Sequence, residues 1–238
     1  MVLSRCRKSF LALGLFFCIW APARAESLKL VRSIPHSGYS EGLDYFEGYL
    51  WNATPQEIHK IDPKNGAVVE TLKPATSYSE SVAWVLGHLW NVSFADNGIY
   101  EAKGTGRDTR FVKRGTVPEV HAWGLTFDGK HLIVTGNYSD KLYFLNPETM
   151  AVERTIQTPV KDLEDLAWDG KGLWASSFTS HRGQVFWIDP KTGNIPKFYS
   201  LPHPEECPII DGTAFDGKYL WVTGKHCSKI YCLALPQK

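Results

Sequence analysis

The stretch Glu164-Asp-Leu-Ala-Trp-Asp-Gly-Lys-Gly-Leu-Trp-Ala175 decides the fold, because its pattern recurs five times along the chain. The pattern reads acid, small, aliphatic, small, aromatic, followed by a tight turn and a second apolar run, and the exception at the first position is Trp123. Successive first positions are 39, 43, 41 and 47 residues apart, and a period of about 40 residues is typical of a propeller, array or solenoid. The copies are Glu41-Gly-Leu-Asp-Tyr45, Glu80-Ser-Val-Ala-Trp84, Trp123-Gly-Leu-Thr-Phe127, Glu164-Asp-Leu-Ala-Trp168 and Asp211-Gly-Thr-Ala-Phe215.

Each of the first four copies continues into three further predicted strands, and the fifth continues into two. Asp-Gly turns, such as those at Asp128, Asp169 and Asp216, join the motif to the second strand, and Asp-Gly is a strong hairpin signal. Turns rich in Asp, Pro and Gly separate the third strand from the fourth. Four antiparallel strands repeated radially form a blade, so the sequence predicts an all-β, five-bladed β-propeller. We expect the repeated tryptophans of the second strands to pack between blades; they are Trp51, Trp90, Trp174 and Trp221.

The fifth unit has no fourth strand of its own, because the chain ends soon after Leu233. The stretch from Ser27 to Ile34 has the pattern of such a strand and precedes the first motif. We expect this N-terminal strand to complete the last blade and close the ring, which protects exposed strand edges. Residues 26–238 are therefore predicted to form a single propeller domain.

Residues 1–25 have the pattern of a secretory signal peptide. Basic residues at positions 5, 7 and 8 precede an apolar run, and Ala23-Arg-Ala25 resembles a cleavage site. The run is too short to span a membrane, so we expect a secreted or periplasmic protein without a membrane anchor. Four basic residues and no acidic one lie in this segment, so the formal charge of +1 becomes −3 for residues 26–238. Without a basic run, nucleic acid is not an expected partner.

The first positions of the five motifs are predicted to form a ring. In a hairpin the start of one strand lies beside the end of the next, so the ring shares one face of the disc with the residues after the second strands. We call this the functional face. Four of the five positions hold carboxylates, and clustered carboxylates must take up protons, bind a cation or find donors. Each acid could instead cap its own strand. The ring positions are Glu41, Glu80, Trp123, Glu164 and Asp211.

Other candidate residues lie on the same face. Lys225 follows a second strand in Val222-Thr-Gly-Lys225 and is predicted to lie beside the ring. His121, two residues before Trp123, could be functional or an ordinary loop residue. Aromatic side chains could wall a small substrate, although each could equally belong to the core; they are Tyr39, Tyr78, Phe94, Trp123 and Phe178.

Three cysteines follow residue 25: Cys207, Cys227 and Cys232. An exported protein meets an oxidising compartment, so one pair and one odd thiol are expected. Cys207 and Cys227 both flank the functional-face loops of the fifth blade, and we predict a disulfide between them. No CxxC or HExxH pattern suggests a zinc site.

Several segments of the chain resemble the motifs of a known family. Ala122-Trp-Gly-Leu-Thr-Phe-Asp-Gly129 and Val222-Thr-Gly-Lys225 are close to family segments, and Leu142-Tyr-Phe-Leu-Asn-Pro-Glu-Thr149 is nearly identical to a third. Tyr39-Ser-Glu-Gly-Leu43 and Tyr78-Ser-Glu-Ser81 resemble Phe-Thr-Gln-Gly-Leu and Phe-Gly-Glu-Gly. The family is the plant and bacterial type of glutaminyl cyclase, or glutamine cyclotransferase, and the resemblance covers essentially all of residues 36–235. It implies a five-bladed propeller.

The resemblance also implies roles. Glu80 would be the general acid/base that assists attack of a substrate α-amine on its own γ-carboxamide and protonates the departing ammonia. Lys225 would stabilise the oxyanion. Trp123, Phe94 and Phe178 would enclose a glutaminyl side chain. No metal or organic cofactor is implied, and the expected partner is a peptide or small molecule with a free amino group, bound by a monomer.

Three amides of the family pattern are acids in this chain: Glu41, Glu164 and Asp211. An ionised carboxylate only accepts hydrogen bonds, whereas an amide also donates. A second hypothesis is therefore a diverged relative whose four ring acids bind a Ca²⁺-like ion or a cationic ligand. Such a protein could be a metal-dependent hydrolase or lactonase, or could bind without catalysis. A propeller that serves only as an interaction platform is a third possibility.

Overall fold

A computed structural model describes residues 26–36, 38–180 and 182–236. The predicted signal peptide lies outside these residues. Strands dominate the described chain, and the helical segments are two 3₁₀ turns, Gly106–Asp108 and Phe178–Ser180. The strands are β1 (Glu26–Ser27), β2 (Lys29–Pro35), β3 (Leu43–Phe46), β4 (Tyr49–Ala53), β5 (Ile58–Ile61), β6 (Val68–Leu72), β7 (Ser79–Val85), β8 (His88–Ser93), β9 (Gly98–Lys103), β10 (Arg110–Thr116), β11 (Ala122–Phe127), β12 (Leu132–Gly136), β13 (Lys141–Leu145), β14 (Val152–Gln157), β15 (Leu163–Trp168), β16 (Leu173–Ser177), β17 (Gln184–Ile188), β18 (Lys197–Ser200), β19 (Gly212–Phe215), β20 (Tyr219–Thr223) and β21 (Lys229–Ala234).

The strands form five sheets, one for each blade. Each blade has four strands, arranged from the axis outward, and the sheet of blade 4 also contains β1 at its outer edge. Blades 1 to 4 are β3 to β6, β7 to β10, β11 to β14 and β15 to β18, and blade 5 is β19-β20-β21-β2. The predicted all-β, five-bladed propeller is therefore confirmed. Each motif begins at or just before an innermost strand, which places the five first positions at one end of the axis.

The N-terminal strand closes the ring, as the sequence predicts. β2 pairs antiparallel with β21, from Lys29 opposite Ala234 to Pro35 opposite Lys229. The structure adds a pairing that the sequence does not predict, because β1 runs parallel to the outer edge of blade 4. The segment before the first motif therefore contacts both blade 4 and blade 5.

Five apolar clusters lie between neighbouring blades. Trp51, Trp90, Trp174 and Trp221 are all buried, and each belongs to the cluster between its own blade and a neighbour. The interblade role predicted for these tryptophans is thus confirmed. Burial of large aromatic side chains dominates core energetics, so these contacts hold the blades together.

The innermost strands approach one another closely at the axis. A Cβ atom added to Gly42, at the second motif position, would lie 2.5 Å from Oγ and 2.6 Å from Cα of Ser81 in the next blade. Small residues at this position let the inner strands come together. The axial end of the disc is consequently narrow, which brings the ring residues into one cluster.

The part of the chain that the structure describes has no helix long and apolar enough to cross a membrane.

Candidate active site

The four ring acids are gathered at the axial end of the functional face. Glu80 and Glu164 lie within β7 and β15, whereas Asp211 immediately precedes β19 and Glu41 lies two residues before β3. Their side chains are between 1 % and 3 % exposed. Buried acids are rare unless they are paired or protonated, so the electrostatics of this cluster decide what it can do.

Lys225 supplies a positive charge to the acids. Its Nζ atom lies 3.1 Å from Glu41 Oε2, 3.4 Å from Asp211 Oδ1 and 3.8 Å from Glu164 Oε1. Burial disfavours the ammonium, but attraction to Glu164, Asp211 and Glu41 outweighs burial and raises the pKa of Lys225 above its usual value. Lys225 therefore stays charged. We call these four acids and Lys225 the axial cluster.

Burial shifts the acids of the axial cluster towards their neutral forms. It raises the pKa of Glu80 well above the usual value, and repulsion from Glu41 and Glu164 adds to the rise. Burial also raises the pKa of Glu164 well above its usual value, with Lys225 opposing and Asp211 adding. Both shifts favour the protonated carboxylic acid over the carboxylate.

Glu41 and Asp211 make the shortest contacts with Lys225. Burial raises the pKa of Glu41 to about 7, although Lys225 and a hydrogen bond from Tyr78 act in the other direction. The Tyr78 hydroxyl donates to Glu41 Oε1 at 2.6 Å. Burial raises the pKa of Asp211 too, against the attraction of Lys225. In all four acids burial thus favours the protonated form, while Lys225 favours the ionised form.

One oxygen of each acid makes no hydrogen bond to the described residues: Glu41 Oε2, Glu80 Oε2, Glu164 Oε1 and Asp211 Oδ1. Three of these oxygens face Lys225 Nζ as ion-pair partners at 3.1 to 3.8 Å. Glu80 Oε2 has neither kind of partner among the described residues. A buried, unpartnered polar atom is costly, so Glu80 is the group of the cluster best placed to serve a bound molecule.

Aromatic residues line one side of the cluster. Phe94 stacks on His121 with ring centroids 4.0 Å apart, and it contacts Tyr78 at 5.3 Å. Nδ1 of His121 lies 3.2 Å from the carbonyl oxygen of Phe94. The His121 ring thus supports Phe94, and Phe94 is linked through Tyr78 to Glu41.

The other side is formed by Trp123 and Phe178, whose ring centroids are 6.1 Å apart. Lys225 Nζ lies 5.6 Å from the ring of Tyr39 and 5.9 Å from that of Phe178. Trp123 is buried, whereas Tyr39 and Phe178 are exposed to solvent. Ring contacts therefore connect Trp123 to Phe178, and place Tyr39 and Phe178 near the ammonium of Lys225.

The loop that carries Lys225 is fixed in three ways. The Lys225 N–H donates to Asp211 Oδ2 at 2.7 Å. A Cβ atom at Gly224 would lie 2.2 Å from the carbonyl oxygen of Ile209, so only glycine fits this approach. Cys227, two residues on, forms a disulfide with Cys207, while Cys232 is a buried free thiol. These constraints hold the ammonium near the acids.

Sequence reasoning missed the polar groups that support the motifs. Asn52 Nδ2 donates to Ser40 Oγ at 2.7 Å and to the carbonyl oxygen of Gly42 at 3.0 Å. Asn91 repeats this arrangement in blade 2 with Ser79 Oγ at 2.7 Å. The signal was present, because both asparagines follow a Ser-Glu pair at the same spacing. A fifth buried acid at the axis, Asp165, was also missed.

Within the described ranges, no three His, Cys, Asp or Glu side chains are grouped so that they could hold a metal ion. In the axial cluster, Lys225 Nζ already lies among three of the four acids considered as calcium ligands.

The fold and the site together define a five-bladed propeller with a buried acid and lysine cluster at its axis. The sequence matches the glutamine cyclotransferase family over residues 16–235. The chain therefore belongs to the glutamine cyclotransferase family.

Solved structures of other proteins share the fold. Glutaminyl cyclase from Myxococcus xanthus superposes with a TM-score of 0.75 at 17% identity, covering 89% of this chain and 100% of that one. Two structures of virginiamycin B lyase from Staphylococcus aureus, one of them an inactive variant with quinupristin, give TM-scores of 0.50 and 0.51 at 19% and 18% identity. They cover 85% and 83% of this chain and 66% of those chains. At these identities the likeness shows the fold alone. No curated protein sequence matches the chain.

Proposed function

We propose that this protein is a glutaminyl-peptide cyclotransferase, which converts an N-terminal glutamine into pyroglutamate and releases ammonia. Family membership supports the general activity. The observation that carries the specific reaction is Glu80, a buried acid whose Oε2 has no partner among the described residues and whose pKa is raised by burial. A neutral acid in this position is equipped to protonate a leaving group.

The reaction needs one proton to move between two nitrogens of the substrate. The α-amine attacks the carbon of the γ-carboxamide, a carbon–nitrogen bond forms, and the bond to the departing nitrogen breaks. Glu80 gives its proton to the departing nitrogen and takes one from the attacking amine. The acid is thereby restored, and lactam and ammonia leave without a net change in protons.

Lys225 would stabilise the negative charge that develops on the carboxamide oxygen. Its raised pKa keeps it an ammonium at any pH at which the enzyme works. Preorganised donors directed at a developing oxyanion are usually the largest contribution to catalysis of acyl transfer. The fixed loop at Gly224 and Cys227 would provide this preorganisation.

Neutral acids can do the work of the amides that the family pattern contains. A protonated carboxyl group has one O–H donor and one acceptor oxygen, as an amide has a donor and an acceptor. Burial raises the pKa of Glu164, and in its protonated form Glu164 would donate to the substrate carboxamide. Glu41 and Asp211, in their ionised forms beside Lys225, would accept hydrogen bonds from the α-amine. The acids at these positions are thus compatible with the proposed reaction.

The aromatic residues would hold the methylene groups of the glutamine side chain. Trp123, Phe94 and Phe178 are placed around the cluster, and their apolar surfaces would exclude water from the reacting atoms. Tyr39 and Tyr78 would extend this wall towards the entrance. The proposed substrate is a peptide, which would enter with its amino end first.

The proposal is tested by following ammonia release from a peptide that begins with glutamine. Glu80→Gln preserves the shape and neutrality of the side chain but cannot transfer a proton, so we expect kcat to fall by about 10² to 10⁴-fold with little change in melting temperature. Lys225→Met should lower kcat by about 10² to 10³-fold through loss of the oxyanion partner.

Glu148→Gln, an exposed acid on the outer hairpin of blade 3, is the matched control and should behave as the wild type. A chelator should leave the rate unchanged. The proposal is wrong if the wild-type protein releases no ammonia, or if Glu80→Gln is as active as Glu148→Gln.

The cellular setting is part of the proposal. We expect residues 1–25 to direct export, and the Cys207–Cys227 disulfide fits an oxidising compartment. A monomer acting on peptides in the periplasm or outside the cell is consistent with these features.

A further inference from the structure

Asp165 stands out at the second position of the motif. The other four blades have Gly42, Ser81, Gly124 and Gly212 there, because this position faces the narrow axis. Asp165 is 0 % exposed, and its carboxylate lies among the innermost strands, below the axial cluster. It contacts no candidate substrate-binding surface, so its importance must come through its neighbours.

The Asp165 carboxylate accepts hydrogen bonds from three other blades. Ser81 Oγ donates to Oδ1 at 2.6 Å. The backbone N–H groups of Leu43 and Thr213 donate to Oδ2 at 3.0 and 2.8 Å. One side chain of blade 4 therefore joins the inner strands of blades 1, 2 and 5.

Every strand joined in this way has one acid of the axial cluster either within it or just before it. Ser81 follows Glu80 directly, Leu43 is two residues after Glu41, and Thr213 is two residues after Asp211. Asp165 itself follows Glu164. Asp165 and the three residues that donate to it thus each lie within two residues of one of the four acids, on four different strands.

The remaining blade, blade 3, is held differently. There Thr135 Oγ1 accepts from the N–H of Gly124 at 2.7 Å and donates to the carbonyl oxygen of Leu163 at 2.8 Å. Blade 3 is also the blade whose ring position is Trp123 rather than an acid. The Asp165 contacts coincide with the acid-bearing strands and leave out the tryptophan-bearing strand.

We propose that Asp165 is a positioning residue that sets the mutual spacing of Glu41, Glu80, Glu164 and Asp211. This inference rests on the proposed function for its catalytic consequence. Its geometric part stands alone, because the spacing of the acids determines how strongly they repel one another and share Lys225. Loosening the four strands should let the acids move apart and admit water between them, which weakens the burial that raises the pKa of Glu41.

The experiment compares Asp165→Asn with a matched control, Asp44→Asn. Asp44 is a half-buried acid that also bridges blades, since it accepts from the N–H of Trp84 at 2.7 Å. It lies at the fourth motif position, further down the strand from the axial cluster. Both substitutions replace an interblade carboxyl group by an amide, so a merely structural effect should be common to both.

The direct readout is the titration of Glu41, followed by ¹³C NMR of protein labelled at glutamate carboxyl carbons and assigned with Glu41→Gln. In the wild type this midpoint is expected at about 7. We expect Asp165→Asn to move the midpoint to lower pH and Asp44→Asn to leave it unchanged. Ammonia release should fall about 10 to 100-fold in kcat for Asp165→Asn, with KM changed less, because small misplacements of reacting groups are costly.

Ser81→Ala is a milder variant that removes a single donor and keeps the test open if Asp165→Asn does not fold. It should shift the same titration in the same direction. The proposal is overturned if Asp165→Asn, or Ser81→Ala when only that variant folds, leaves the Glu41 midpoint where the wild type has it. A wild type that releases no ammonia would overturn the proposed reaction, while the titration would still decide the role of Asp165.

Discussion

At the scale of single residues, the state of each acid matters more than the number of acids. Four carboxylates at the ring could be predicted from the repeated first position of the motif. Their protonation could not be predicted, because it depends on burial and on distances such as the 3.1 Å between Lys225 and Glu41. Burial favours the neutral form of each acid, while Lys225 favours the ionised form of the three acids that it contacts.

Glu164 offers a direct test of the idea that a neutral acid replaces an amide. Glu164→Gln should retain kcat within about tenfold of the wild type, because the amide keeps a donor and an acceptor in nearly the same shape. Glu164→Ala removes the donor and should lower kcat by about 10² to 10³-fold. Steady-state ammonia release from the glutaminyl peptide measures both variants.

Comparison of the two Glu164 variants decides the interpretation. If Glu164→Gln is as impaired as Glu164→Ala, the site requires an ionisable group at this position, and a neutral donor is not its role.

Asp165 could not be predicted for a different reason. In four of five copies the second motif position is glycine or serine, so the pattern is typical of a small packing residue. Whether an acid there faces solvent or the axis depends on the approach of the inner strands, which no local pattern encodes. The Leu43 and Thr213 donors are 122 and 48 residues away in the chain.

At the scale of elements, strand periodicity and turn chemistry carried most of the prediction. Asp-Gly turns, apolar second strands and the missing fourth strand of the last unit all predicted the observed blades. The parallel pairing of β1 with β18 was missed because it joins only two residues at the sheet edge. Such a short contact leaves no periodic signal in the sequence.

The disulfide is the element-scale feature with the clearest expected effect. It joins residues 20 apart and ends two residues beyond Lys225. Replacing both Cys207 and Cys227 by serine should destabilise the fold by about 3 kcal/mol, through greater freedom of the unfolded chain. For a domain of this size, the melting temperature should fall by roughly 6 to 12 °C. kcat should also fall, since the Lys225 loop loses an anchor.

Cys232→Ala is the control for this experiment, because Cys232 is a buried thiol outside the disulfide. Thermal unfolding and ammonia release of the two variants should be compared without reductant. Equal melting temperature and kcat in the double serine variant and the wild type would contradict a role for the disulfide in holding the loop.

At the scale of the whole molecule, ring closure and axial packing together create the site. Five interblade clusters and the β2–β21 pairing close the disc. Closure presses the inner strands together and removes water from the acids, which is the cause of their raised pKa values. The fold therefore supplies the electrostatic environment, while the loops supply Lys225 and the aromatic wall.

The pH dependence of kcat/KM tests this account most directly, with pyroglutamate formation checked by mass spectrometry. The substrate amine must lose its proton to attack, so the rate should rise through its pKa of about 8. Glu80 must keep its proton. Because burial raises its pKa well above the usual value, we expect this proton to be lost, and the rate to fall, at a higher pH than for an ordinary glutamic acid. We therefore predict a bell-shaped profile for the wild type, and no falling limb in the residual activity of Glu80→Gln. A wild-type profile that rises to a plateau and stays there throughout the alkaline range would contradict the account.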